Sequence, residues 1–288
     1  MNLNTENLNP GNMKLSSLRR SFSIGLGVLA GILIILSGCK TSPQKKEASD
    51  IPEPKPTKEV VIQELSGYPI PTSFELTELI HQAGAPYILT LSNAPEKAGD
   101  YITQKDKALN MGVYGTDLCY ASTYMMKQGT MLFLESSKTL IDELGIATTF
   151  NSDYAQRIEN NLDNRDSLIR IVSDSFHDTW SYLVKNQQDV LARLVVCGSW
   201  IEGIYITSNI ALTSRDNTEF LEILAKQKKS LNTLVSLLEP VKDLDEVTEV
   251  FKGLFDLQNL YEGVEGSLTA EQLDKVTARI EALRDAIV

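Results

Sequence analysis

Histidine is almost missing from this sequence: the 288 residues contain His81 and His177 and no other. Cysteine is nearly as scarce, at Cys39, Cys119 and Cys197, and aromatic residues make up 7%. These shortages exclude much chemistry. A Ser-His-Asp triad would have to draw on one of the two histidines, and no G-x-S-x-G elbow is present to hold its nucleophile. Neither a P-loop nor a G-x-G-x-x-G dinucleotide fingerprint occurs. Cys197-Gly198-Ser199-Trp200 has the look of a cysteine-protease signature, but it lies inside a helical pattern with no converging histidine. Apolar and polar residues hardly ever alternate at a spacing of two, which removes the β-sheet classes. Positive charge is short as well. Lys and Arg number 27 against 38 Asp and Glu, and the net charge of −11 repels phosphate backbones and argues against nucleic-acid binding. No cofactor is expected.

Each histidine follows a carboxylate by three residues, as Glu78-x-x-His81 and Asp174-x-x-His177. Paired motifs of this kind supply the ligands of ferritin-like di-metal bundles, where they point inward. At about 100° per residue, Glu78 and His81 point away from the apolar stripe of Leu76, Leu79, Ile80 and Ala83. Asp174 likewise faces away from Leu168, Ile169, Val172, Phe176 and Leu183, with His177 at the flank. Asp174, His177 and Asp178 on the surface lack a fourth ligand. Two solvated faces are expected, and no metal site.

What the sequence does have begins with Lys14, Arg19 and Arg20, a basic front before an apolar run from Phe22 to Leu36. As a helix that run spans about 22 Å, short of the ~30 Å hydrocarbon core, so it reads as an export signal rather than a permanent span. Initiation at Met1 or at Met13 is compatible with this. Leu36-Ser37-Gly38-Cys39 follows, and here the chain resembles bacterial lipoprotein precursors, matching their lipobox at all four positions. The resemblance implies cleavage before Cys39, a diacylglycerol on its sulfur and an acyl chain, such as palmitate, on its new amino group. Several acyl chains at ~0.8 kcal/mol per buried CH₂ hold a protein to a bilayer far better than one. The mature chain would carry 24 basic and 37 acidic residues, a net charge of −13. Asp directly after the lipidated cysteine commonly marks inner-membrane retention, whereas Lys40 stands here. Surface-exported families often carry acidic residues just behind the cysteine, whereas this chain reads KTSPQKKE. By resemblance the expected location is the cell envelope, at the outer membrane and facing the periplasm, with surface exposure left open.

Six of the ten prolines lie between Pro43 and Pro71. A segment so poor in apolar residues cannot bury enough surface to order itself. The expected organisation is a signal peptide over 1–38, a Pro-rich tether over 39–66 and one all-α domain over 67–288. The tether reaches at most ~80 Å at ~3.1 Å per residue. In the domain, apolar residues recur at three and four throughout. The first helix is expected near Thr72, with Glu75 completing a capping box, and ends at Gly84 and Pro86. A helix over about 96–110 and the segment NMGVYGTDLCYASTYMMKQGTMLFLESSKTLIDELG follow, with Gly129 dividing that segment and Gly145 as a C-cap. Asn151 or Ser152 caps a short helix, and another runs over 163–185. Residues 189–212 are apolar all round, a central buried helix interrupted by Arg193 and Glu202 and therefore not a membrane span. Helices near 217–238, 243–262 and 270–287 complete the domain. The last begins at a Thr269 cap, and its seam of Leu273, Val276, Ile280, Leu283 and Ile287 fits its own bundle or another molecule. No repeat is evident, so a compact bundle is favoured over a short α-solenoid.

Two features remain. Glu202 lies on the most buried helix, where an uncompensated carboxylate costs several kcal/mol. Arg193 is about 180° away on the wheel. Glu202 therefore either needs a tyrosine, lysine or arginine partner or marks an internal pocket with Trp200 and Tyr205 nearby. Gly112, Tyr114, Gly115, Asp117, Tyr120 and Tyr124 could line a ligand groove or pack helices tightly. Cys119 and Cys197 fit a disulfide or two buried thiols. NMGVYGTDLCYA, taken with the lipobox and tether, resembles helical lipoproteins of the Bacteroidota, a likeness with no chemistry attached. The reading that follows is a lipid-anchored envelope lipoprotein whose non-catalytic domain binds an envelope protein or a small ligand. The alternative is an envelope hydrolase or metal-dependent enzyme on an α-bundle.

Overall fold

A helix that is apolar on every side has to be enclosed by other helices, and the chain arranges itself around one. The computed structural model describes residues 73–146 and 152–288; the lipobox, the tether, Thr72 and Asn151 lie outside them. Among the described residues there are ten α-helices and no β-strand. They are α1 Ser73–Gln82, α2 Gln104–Thr123, α3 Lys127–Glu143, α4 Ser152–Glu159 and α5 Arg165–Lys185, then α6 Asp189–Thr213, α7 Thr218–Lys226, α8 Lys228–Leu238, α9 Asp245–Tyr261 and α10 Ala270–Asp285. The central helix is α6. It is the one described helix long and apolar enough to cross a membrane, and most of it is buried inside the protein.

The closest partner of α6 is α2, which is buried from Ala108 to Thr123. Gly112 and Gly198 make that approach possible. A Cβ on Gly112 would overlap Val195 O and Ser199 N, and one on Gly198 would overlap Leu109 O. The two backbones therefore touch, which assigns these glycines to helix packing. Buried hydroxyls seal the crossing: Thr116 Oγ1 lies 2.8 Å from Ser73 Oγ and 3.0 Å from Ser199 O. The final helix closes the bundle onto the same pair. Leu273, Val276, Ile280, Leu283 and Ile287 are all buried, so this seam packs within its own chain. Asn110 on α2 donates to Ile287 O. Contact of the last helix with α2 and α6, far back along the chain, makes a closed bundle rather than a solenoid, where each unit meets only its neighbours.

The caps follow local chemistry. Thr269 Oγ1 accepts from Gln272 N at 3.2 Å while Gln272 Oε1 accepts from Thr269 N at 2.9 Å, a reciprocal capping box. Gly84 and Gly145 end α1 and follow α3 with φ of 84° and 73°, the left-handed conformation glycine adopts without strain. Several boundaries differ from expectation. The long segment divides at residues 124–126, where Met125 takes a φ of 56°, and Gly129 falls in the first turn of α3. Residues 95–99 form a 3₁₀ turn, and α2 starts only at Gln104, capped by Thr103. The helix expected over 163–185 begins at Arg165 behind an Asn164 cap, and the region 217–238 is two helices meeting at Gln227. Leu79, placed on the buried stripe of α1, is 42% exposed, because α1 buries only the side that holds Leu76, Thr77 and Ile80.

Candidate functional site

Three helices and one loop bring ionisable groups together in the interior. Helix α6 supplies Glu202, α2 supplies Asp117 and the last turn of α10 supplies Arg284, while residues 83–103 lay their backbone across them. Glu202 is wholly buried. Arg284 meets it in a fork, Nε to Oε2 at 2.6 Å and Nη2 to Oε1 at 3.0 Å, the strongest geometry open to this pair. Nη2 also reaches Leu91 O at 3.4 Å, and the guanidinium lies 4.2 Å from the Tyr205 ring centroid. Asp117 is wholly buried too, and its Oδ2 accepts the Asn93 N–H at 3.0 Å. Asn93 Nδ2 donates to Tyr101 OH at 2.9 Å. Tyr101 packs edge-on against Tyr114, and Tyr114 OH donates to Ala94 O at 2.7 Å.

Two carboxyl groups lie in this interior and one guanidinium is bonded to only one of them, Glu202. Burial pushes Asp117 well above the usual carboxylate range, and the Glu202 charge pushes it further. Burial raises Glu202 as well, but the Arg284 guanidinium and a hydrogen bond from Asp117 oppose that rise. Burial alone would lower Arg284, and the Glu202 carboxylate outweighs it to hold the guanidinium up. The assignment that satisfies all three is Arg284 charged, Glu202 ionised and Asp117 protonated. Asp117 Oδ1 is buried without a hydrogen-bond partner. The cluster is then neutral overall.

Of the residues singled out in the sequence, Glu202, Asp117, Tyr205 and Tyr114 converge. Tyr120 does not join them. Its hydroxyl accepts from Ile88 N at 2.8 Å and donates to Pro86 O at 3.2 Å, so it pins the loop one turn further along α2. Trp200 is buried about 200° round α6 from Glu202, its indole N–H without a partner. Arg284, Asn93 and Tyr101 were missed. Arg284 left a legible signal, since it falls four residues after Ile280 and three before Ile287, a charge set on the apolar stripe of α10.

The Glu202 carboxylate is wholly buried, with both oxygens on Arg284. A recess of about 30 Å³ lined by side chains including Met111, Leu118, Ile141 and Phe176 has about one water's share of liquid volume, and Glu202 does not line it. The carboxylate-histidine motifs stay at the surface. Arg165 pairs with Glu78 and lies 3.1 Å from His81 Nδ1, while Asp178 accepts from Tyr154 OH. Among the described residues no three His, Cys, Asp or Glu side chains gather as a metal-binding group. Cys119 and Cys197 are buried free thiols, and burial pushes both thiol pKa values up. Such thiols are poor nucleophiles, because the reactive form is the thiolate. Comparison of the chain with protein-family models, with curated proteins and with solved structures finds no match.

Proposed function

We propose that this chain is a lipid-anchored lipoprotein of the cell envelope, held at the outer membrane through Cys39 and facing the periplasm, with a non-catalytic helical domain that binds or scaffolds an envelope partner. The anchor rests on the four-residue lipobox Leu36-Ser37-Gly38-Cys39 behind a short basic-apolar leader. The non-catalytic reading is carried by one observation. Both oxygens of Glu202 are held by Arg284 in a buried setting, so the carboxylate most suggestive of chemistry ties α10 to α6. A catalytic carboxylate needs an approach for substrate and a proton free to move. The loop pinned by Tyr114 and Tyr120 of α2 and by its C-cap Tyr124 supplies a fixed surface instead, since each donates a hydroxyl to a loop carbonyl.

Two measurements test this reading. A Cys39→Ala chain should leave the membrane fraction for the soluble fraction; a variant that still pellets with membranes removes the lipid anchor. Cross-linking in cells followed by mass spectrometry should recover a defined envelope protein on the native chain. Substrate turnover by the purified protein, with no cross-linked partner, would overturn the non-catalytic assignment.

A further inference from the structure

Arg165, at the start of α5, holds three parts of the fold at once. Its Nε donates at 3.0 Å to Thr123 O, one of the carbonyls left over at the end of α2. Its Nη2 pairs with Glu78 on α1 and lies 3.1 Å from His81 Nδ1, one turn further along that helix. A guanidinium has N–H donors and no acceptor, so the His81 contact is a hydrogen bond only while Nδ1 is bare and the imidazole proton sits on Nε2. Glu78 is the carboxylate of this joint, and both of its oxygens are engaged. Oε2 is on Arg165, and Oε1 accepts from Gln82 Nε2 at 2.7 Å. Tyr124 holds the ring from another side, edge-on with centroids 4.9 Å apart, and its own hydroxyl donates to Ala85 O just past α1. The charged and titratable groups of the joint are thus Glu78, Arg165 and Tyr124. Helix α6 meets α1 at Ser199 and Gly203, and the segment ahead of α7 meets it at Asn217, all uncharged residues.

We propose that His81 is an acid-released latch between α1 and the start of α5. Neutral, the ring accepts from Arg165 and helps to hold that guanidinium against α1 and the end of α2. Protonated at Nδ1, it presents a donor and a positive charge to the guanidinium, and the joint loosens. Imidazole is the side chain suited to such a device, because it changes charge between pH 5 and 8. The bond exists only while Nδ1 is bare, so its contribution is complete at high pH and is lost as the ring takes up a proton. The latch gives the domain a response to acid and depends on neither the anchor nor the partner proposed above.

The test is nuclear magnetic resonance of the purified, nitrogen-15-labelled full-length chain between pH 8 and pH 5. His81 and His177 are the two imidazoles to follow, and a His177→Gln chain tells their signals apart. At pH 8 long-range proton–nitrogen spectra should show His81 with its proton on Nε2. The amides of Ser167 and Leu168, which close the first turn of α5 on Asn164, report the joint through hydrogen exchange. Their protection factors should fall about fivefold toward pH 5, as the loss of one hydrogen bond implies, with the midpoint of the His81 titration. His81→Phe keeps a ring beside Tyr124 but no acceptor, so its protection should be low at every pH. His81→Asn offers Oδ1 where Nδ1 stood and does not titrate, so its protection should stay high. Far-UV circular dichroism verifies that each variant is folded. The latch is refuted by a proton on Nδ1 of the wild type at pH 8, by protection that does not follow the His81 titration, or by a folded His81→Asn chain that loses protection as the wild type does.

Discussion

Replacing Arg284 with methionine isolates the physics of the interior cluster. The substitution keeps a long apolar side chain in the last turn of α10 but removes the fork onto Glu202, at 2.6 and 3.0 Å, and the cation over Tyr205 at 4.2 Å. Breaking a buried pair by removing one partner costs about 3–5 kcal/mol, because the other charge stays behind. The lost contact with Tyr205 adds about 1 kcal/mol. Against a whole-domain stability of about 5–15 kcal/mol, a loss near 5 kcal/mol is severe and lowers Tm by roughly 10–20 °C for a domain this size. The loss also depends on pH. Without Arg284, nothing but Asp117 opposes the rise that burial imposes on Glu202, so Glu202 takes up a proton in the native state. A carboxyl whose folded pKa lies above its unfolded value keeps full stability below the unfolded pKa, about 4, and loses it as pH rises toward the folded one. The deficit of Arg284→Met should accordingly be small at pH 4.5 and largest at pH 8. Urea unfolding followed by far-UV circular dichroism across that range measures it. A deficit under about 1 kcal/mol at pH 7, or one that does not change with pH, would mean that Glu202 has another counter-charge and that the cluster is misassigned. The paired substitution Glu202→Met with Arg284→Met should recover most of the loss, since a buried ion pair replaced by apolar residues is often neutral.

Further outcomes follow from the same geometry. Asp117→Asn should match wild type near pH 4.5, because burial raises the Asp117 carboxyl and favours its protonated form in the fold, and should become the more stable of the two as pH rises, since it escapes the titration that erodes the wild type. Gly112→Ala and Gly198→Ala should each cost about 3 kcal/mol, or prevent folding, because their methyl groups meet backbone across the α2–α6 crossing. Gly115→Ala should cost about 1 kcal/mol, since its methyl meets Phe176 Cζ at 2.6 Å and an aromatic ring can turn aside; thermal melts rank the three. Thr269→Ala should lose about 1 kcal/mol with the capping box. Cys119 and Cys197 should resist a disulfide reagent in the native protein and titrate as two thiols in guanidinium, which absorbance measures directly.

Periodicity at three and four, local caps and glycine punctuation were enough to place the all-α class, the central helix, the buried seam of α10 and the Thr269 and Gly145 caps, because these depend on residues a few positions apart. Reading boundaries this way failed where tertiary contacts overrode local signals. The chain breaks at Met125 although Gly129 is the more obvious candidate, because Tyr120 and Tyr124 hold the end of α2 against the loop by hydrogen bonds formed only in the fold. Leu79 was misplaced for a related reason: a wheel shows a stripe but not how wide a face the neighbours cover.

A carboxylate on a helix apolar all round must be paired or protonated or must line a pocket, and that much the sequence dictated for Glu202 on its own, through the cost of desolvating a charge. Which partner was decided by the fold, which brings Arg284 across 82 positions of chain. The fold alone also set a second carboxyl group in the same interior, and with it the upward push on Asp117 from burial and the Glu202 charge. Desolvation is a property of one residue and its immediate pattern, whereas charge compensation belongs to whichever distant elements pack together.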